Sequence, residues 1–114
     1  MMGETAEQAV VREVRDELGV TPKITRPLWL NQAFFTEDVD GFDYHELCIY
    51  FLMDSSETNL LEQGHSFTRT EGEHIHTFEW LEFDRLKEEY FYPVFLKKEI
   101  YNLPNEFTLR TETE

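Results

Sequence analysis

The stretch from Gly3 to Val20 (Gly-Glu-Thr-Ala-Glu-Gln-Ala-Val-Val-Arg-Glu-Val-Arg-Asp-Glu-Leu-Gly-Val) constrains this chain more than any other. Thr5 is placed to cap a helix N-terminus, and Gln8 three residues on completes a capping box. Gly19 suits the left-handed residue that ends a helix, with Val20 set for the apolar contact that often follows. Val10, Val14 and Leu18 recur every four residues, and Val11 widens them. That period predicts a buried stripe. Glu13, Asp16 and Glu17 are spaced i, i+3, i+4, so their carboxylates gather on one side. At about 100° per residue, this acidic side lies roughly a quarter turn from the stripe. The spacing predicts a helix that packs on a sheet while three acids look into a neighbouring cleft.

Three carboxylates on one side repel one another. Arg12 offsets part of this through Asp16 at i+4. A hard divalent cation offsets far more, because Mg²⁺ takes carboxylate oxygens and is often shared with substrate phosphates. The same spacing also describes a solvated acidic helix face, a common feature in a chain this acidic.

The wider pattern is more specific. Glu4, then seven positions, then Arg12-Glu13-Val14-Arg15-Asp16-Glu17-Leu18-Gly19-Val20 resembles the Nudix box. That box runs Gly, five positions, Glu, seven positions, Arg-Glu, an aliphatic, any residue, Glu-Glu, any residue, Gly, an aliphatic. Asp16 departs from it, standing where the family has Glu. The first Gly of the box would lie before Met1. Further on, Phe78-Glu79-Trp80 followed by Asp84-Arg85-Leu86 looks like the family's closing strand and short helix.

The resemblance implies an α/β fold, a Nudix-like α/β/α sandwich around a mixed sheet. Residues 1–114 would form a single partial domain lacking its N-terminal strands. It implies hydrolysis of a nucleoside diphosphate linked to another moiety, dependent on Mg²⁺ or Mn²⁺. Glu13, Asp16 and Glu17 would then be the metal ligands, with Glu13 also the candidate base and Glu17 catalytic. Glu4 would pair with Arg12 and support the loop–helix junction. The family often adds an acid from the loop before its closing strand; Glu73 is the first choice here and Glu71 the second. The alternative is a catalytically weak or inactive acidic binding domain on the same fold. The absent strands imply an open sheet edge and an uncovered helix face. A homodimer is the expected cover.

Composition narrows the partners. The chain has 114 residues, enough for one small core. Hydrophobic content of 40% argues for a folded protein despite 30% charge. A net charge of −14 disfavours nucleic acid and an anionic membrane surface. It leaves a phosphorylated small substrate open, since a bound cation inverts the local sign. Cys48 is the only cysteine, so no intrachain disulfide forms and a reducing, cytoplasmic setting is expected. No apolar run spans a bilayer, and the first residues lack the pattern of a signal peptide.

Along the rest of the chain, Ile24 to Thr36 reads as strand. Asp40-Gly41 is a hairpin turn signal, and His45 to Met53 reads as a central strand. An EF-hand reading of Asp38, Asp40 and Gly41 fails, because Thr36 and Leu47 would fill its first and twelfth positions. Asp54 to Gly72 reads as a long polar loop. His74 and His76 would share one strand face, which suits Zn²⁺ given a third ligand, or a plain exposed pair beside acids. Thr77 to Phe83 alternates as a strand, and Asp84 is placed to cap a helix over 85–89. Pro93 opens a helix near Val94 to Tyr101, and Arg110 to Glu114 reads as a frayed tail. Phe34 and Phe35 suit stacking on a base, though a core role is favoured.

Overall fold

The computed structural model describes residues 2–89, 91 and 93–113. The chain runs α1 (Ala6–Leu18), β1 (Lys23–Thr36) and β2 (Asp43–Asp54), then a 3₁₀ turn (Leu61–Gln63), β3 (Ser66–Glu71) and β4 (His74–Glu79). A 3₁₀ helix (Phe83–Glu88), α2 (Leu96–Glu99) and β5 (Thr108–Thr113) follow. Helices and a mixed sheet place the chain in the expected α/β class. The described residues divide into two compact units, one within 1–25 and 53–82, the other within 26–52 and 83–114. Among them, no helix is long and apolar enough to cross a membrane.

The first unit carries α1 and a two-stranded sheet. Thr5 caps the helix in extended conformation, and Thr5 and Gln8 exchange both hydrogen bonds of a capping box. Such a cap is worth about 1 kcal/mol. Gly19 ends the helix at φ +73°, and its N–H returns to the Arg15 carbonyl. Both predicted end signals are therefore used. The stripe differs from expectation: Val10, Val11, Val14 and Leu18 are only half-buried, and α1 has no fully buried residue.

β3 and β4 pair antiparallel from Ser66↔Glu79 to Glu71↔His74. Gly72, at φ +62°, makes the two-residue turn between them with Glu73. The long loop read over 54–72 is thus partly a strand. Its alternation was masked by Ser and Thr, whose β-branched member packs well in a sheet although polar. The next strand is also shifted. It ends at Glu79, and residues 80–82 hold no regular element.

The second unit holds most of a three-stranded sheet in the order β2-β1-β5. The Asp40-Gly41 turn forms, with Gly41 at φ +71°. Glu37 exchanges backbone bonds with Phe42 and Gly41 across it. Asp40 accepts from the Phe42 N–H and the Tyr44 hydroxyl, so this carboxylate is held by the turn itself and lies below its usual pKa. Pro27 sits exposed near the start of β1, ahead of Trp29 where pairing with β5 begins.

Residues 108–113, which overlap the stretch expected to fray from Arg110 on, form β5. This strand runs parallel to β1 from Trp29↔Thr108 to Phe34↔Thr113. Three threonines at positions 108, 111 and 113 favour the strand, and Gln32 Nε2 donates to Thr111 Oγ1 at 3.3 Å. Arg110 lies 4.2 Å over the Phe95 ring and pairs with Glu99. The expectation of a frayed tail weighed polarity and missed a polar strand.

The core of this unit is Leu28, Trp29 and Phe95, flanked by Tyr50, Leu52, Leu96 and Leu103. Trp29 is 2% exposed and meets the Phe95 ring edge-on at 5.1 Å. Tyr50 meets Phe95 at 5.7 Å and 90°. Edge contacts of this kind add about 0.5–1.5 kcal/mol beyond area burial. The helix expected over 94–101 is the shorter α2. Asp84 lies inside the 3₁₀ helix rather than capping one, and its carboxylate accepts from the Tyr101 hydroxyl at 2.6 Å.

Candidate active site

All three helical acids lie on α1, in the first unit. The helix forms as predicted, and Glu13, Asp16 and Glu17 are exposed on it. The side chains of Glu13 and Asp16 are 63% and 60% exposed. Arg12 stands among them. Its Nε donates to both oxygens of Glu4, at 3.0 and 3.2 Å. Nη1 lies 3.7 Å from Asp16 and Nη2 lies 4.0 Å from Glu13. The guanidinium is thus anchored at the helix entry by Glu4 and leans toward two acids of the cluster. The hydrogen bond to Arg12 holds the Glu4 carboxyl below its ordinary pKa and raises that of Arg12.

Glu73 sits on the turn between β3 and β4, exposed and in the same unit as α1. Glu71 faces His74 in the backbone register, and its side chain lies outside the described residues. Among the described residues, no three His, Cys, Asp or Glu side chains converge on a point that could hold a metal. The donor set still suits a hard cation, being carboxylate oxygen alone on accessible side chains.

His74 and His76 do share a face of β4, with ring centroids 6.4 Å apart and a tilt of 36°. Both are exposed, so the geometry matches the plainer of the two sequence readings. Phe34 and Phe35 do not join the core. Exposed Phe34 stacks on His45 at 4.3 Å and half-buried Phe35 on Tyr44 at 5.5 Å, joining β1 to β2.

Two features escaped the sequence. One is Arg69 on β3, whose guanidinium packs against Gly19 at the end of α1. The register that puts it there is invisible in a stretch read as loop. The other is a cavity of about 380 Å³ in the second unit, whose lining includes Asn31, Glu37, Asp38, Glu46, Tyr50 and Glu112. Asn31 is 1% exposed, and its Oδ1 has no hydrogen-bond partner among the described residues. Burial pushes the Tyr50 hydroxyl above the usual tyrosine range, with Cys48 beside it adding to the effect.

The Glu4–Arg12 pair gives a signed pH dependence. A carboxyl whose pKa is lowered on folding stabilises the fold above its unfolded value and loses that contribution as pH falls through the folded one. The unfolded value is near 4.5. Thermal unfolding of wild type and Glu4→Gln should therefore differ at pH 6, with wild type the more stable. The difference should shrink toward zero as pH is lowered to 3. A gap that is constant with pH would mean that the pair contributes nothing by its charge.

No match to a curated protein was found. A family model described as NUDIX domain matches residues 1–101, which includes α1, the whole β3–β4 hairpin and most of the sheet. That match covers well over half of the 114 residues, and the chain belongs to the NUDIX domain family.

Proposed function

We propose that this chain is a Nudix hydrolase that cleaves the pyrophosphate of a nucleoside diphosphate linked to another moiety. The observation that carries the reading is α1 itself. Three carboxylates at i, i+3, i+4 stand on the open side of a helix capped at both ends. Capped ends fix the backbone that carries them, and a fixed carrier is what positions ligands.

Glu13, Asp16 and Glu17 would hold Mg²⁺ or Mn²⁺. When bound, the ion cancels charge on the diphosphate and lowers the pKa of water. Glu13 takes the proton of the attacking water. The water oxygen bonds to phosphorus, the bridging P–O bond breaks, and its electron pair leaves with the departing phosphate. Arg12 offsets part of the acids' mutual repulsion when no ion is present, and Glu4 anchors Arg12 at the helix entry. Glu73 is the acid proposed to reach the site from the hairpin turn. The substrate is a small nucleotide, not nucleic acid, and the setting is cytoplasmic, as the single half-buried Cys48 supports.

A second reading has its own support. Two of the three acids lean on Arg12, and no triad converges among the described residues. The chain would then be an acidic binding domain with weak or absent turnover. A homodimer belongs to either reading. Leu47 is 62% exposed on β2, an edge strand, and Ile49 lies on the same face.

Two measurements follow. Phosphorus NMR of ADP-ribose or a nucleoside triphosphate with Mg²⁺ should show hydrolysis, and Glu17→Gln should lower it by about 100-fold or more. Metal binding without turnover would favour the binding domain, and turnover indifferent to Glu17→Gln would refute the assigned site. Light scattering at micromolar concentration should give twice the 13.7 kDa chain mass, and a monomer mass would refute the dimer.

A further inference from the structure

The acidic helix has to be held somewhere, and its own side does little of the holding. α1 buries no residue fully. Its last turn is where the first unit grips it. Leu18 lines a small apolar cavity of about 200 Å³ with Leu60, Phe67, Phe78 and Trp80. Phe67 and Phe78 stand opposite each other on β3 and β4, with ring centroids 5.5 Å apart. Arg69 is two residues beyond Phe67 and so shares its face of the hairpin. A Cβ built on Gly19 would lie 2.7 Å from Arg69 Cζ and closer still to Nη1. The guanidinium therefore occupies the space that every other residue type would fill at this position.

Gly19 serves two ends at once. Its positive φ terminates the helix, and its missing side chain admits Arg69. A cation at this end is also electrostatically favoured, because the last carbonyls of a helix carry partial negative charge. Asp16 and Glu17 lie within the last turn, so whatever fixes Gly19 fixes the backbone under two of the three acids.

We infer that Arg69 is a positioning residue: through its contact with Gly19, the β3–β4 hairpin sets the orientation of the acidic end of α1. This inference rests on the proposed metal-binding role of that cluster. Arg69 does not touch the reacting atoms. Its effect passes through the helix end.

The test uses the whole chain and four variants: Arg69→Ala, Arg69→Lys, Gly19→Ala and the double variant Gly19→Ala with Arg69→Ala. Amide hydrogen exchange at Leu18 and Gly19 should quicken about 2- to 5-fold in Arg69→Ala, the range set by a charge at a helix end. Mn²⁺ affinity, read by electron paramagnetic resonance, should weaken by a similar factor, and Arg69→Lys should restore part of it. Gly19→Ala should weaken Mn²⁺ binding more in wild type than in the Arg69→Ala background, because the methyl group competes for the space Arg69 fills. Should Arg69→Ala fail to fold, Arg69→Met keeps the apolar stem and is read in the same way. Quickened exchange with unchanged Mn²⁺ affinity would overturn the positioning role, as would additive effects at the two positions. A wild-type chain that binds no Mn²⁺ would defeat the metal reading instead, and the exchange data would still decide whether Arg69 holds the helix.

Discussion

The guanidinium of Arg12 is the interaction on which the acidic helix depends. Glu13, Asp16 and Glu17 crowd like charge onto one side of a 13-residue helix. A helix that short is marginal in water by propensity alone. Arg12 sits inside this charge and is held from behind by both oxygens of Glu4. One cation thus serves two tasks. It ties the residue before the cap to the second turn, and it tempers repulsion that would otherwise oppose the helix. The contacts to Asp16 and Glu13 are long and exposed, at 3.7 and 4.0 Å, and such pairs are easily exchanged. A strong cation at the cluster would meet only that loose competition.

The two ends of α1 are matched differently. At the N-terminus, Thr5 and Gln8 satisfy backbone donors locally. At the C-terminus, a long-range contact takes over, with Arg69 packed on Gly19 and Leu18 beside the Phe67–Phe78 pair. Local caps are written in adjacent residues, whereas the far contact depends on strand register. That difference explains what could be read ahead of the structure. The capping box, the left-handed Gly19 and the Asp40-Gly41 turn all follow from short spacing, and the Glu4–Arg12 pair follows from the family resemblance. β3 and β5 did not, because Ser, Thr, Arg and Glu carry no apolar alternation to reveal a strand. The half-burial of Val10, Val11, Val14 and Leu18 also escaped, since a period shows which face is apolar but not how much protein lies over it.

Acidity recurs in the second unit, in a different form. The cavity near Asn31 has Glu37, Asp38, Glu46 and Glu112 on its walls. Glu112 there accepts from the Phe95 N–H, and Asp43, just after the Asp40-Gly41 turn, accepts from the Thr36 hydroxyl. Part of this acidity is therefore structural, tying loop and strand ends to backbone and hydroxyl donors. Among the described residues, Glu13 and Asp16 of α1 differ in having the Arg12 guanidinium, at longer range, as their ion-pair partner. Net charge alone would not separate the two groups, and the partners of each carboxylate do.

Paramagnetic broadening by Mn²⁺ in an amide nitrogen–proton spectrum tests the central claim most directly. Substoichiometric Mn²⁺ should broaden the amides from Glu13 to Gly19 first, and excess Mg²⁺ should restore them. Broadening that begins at residues 37–46 and 112, or that spreads evenly over the acidic surface, would contradict the assignment of α1 as the metal platform.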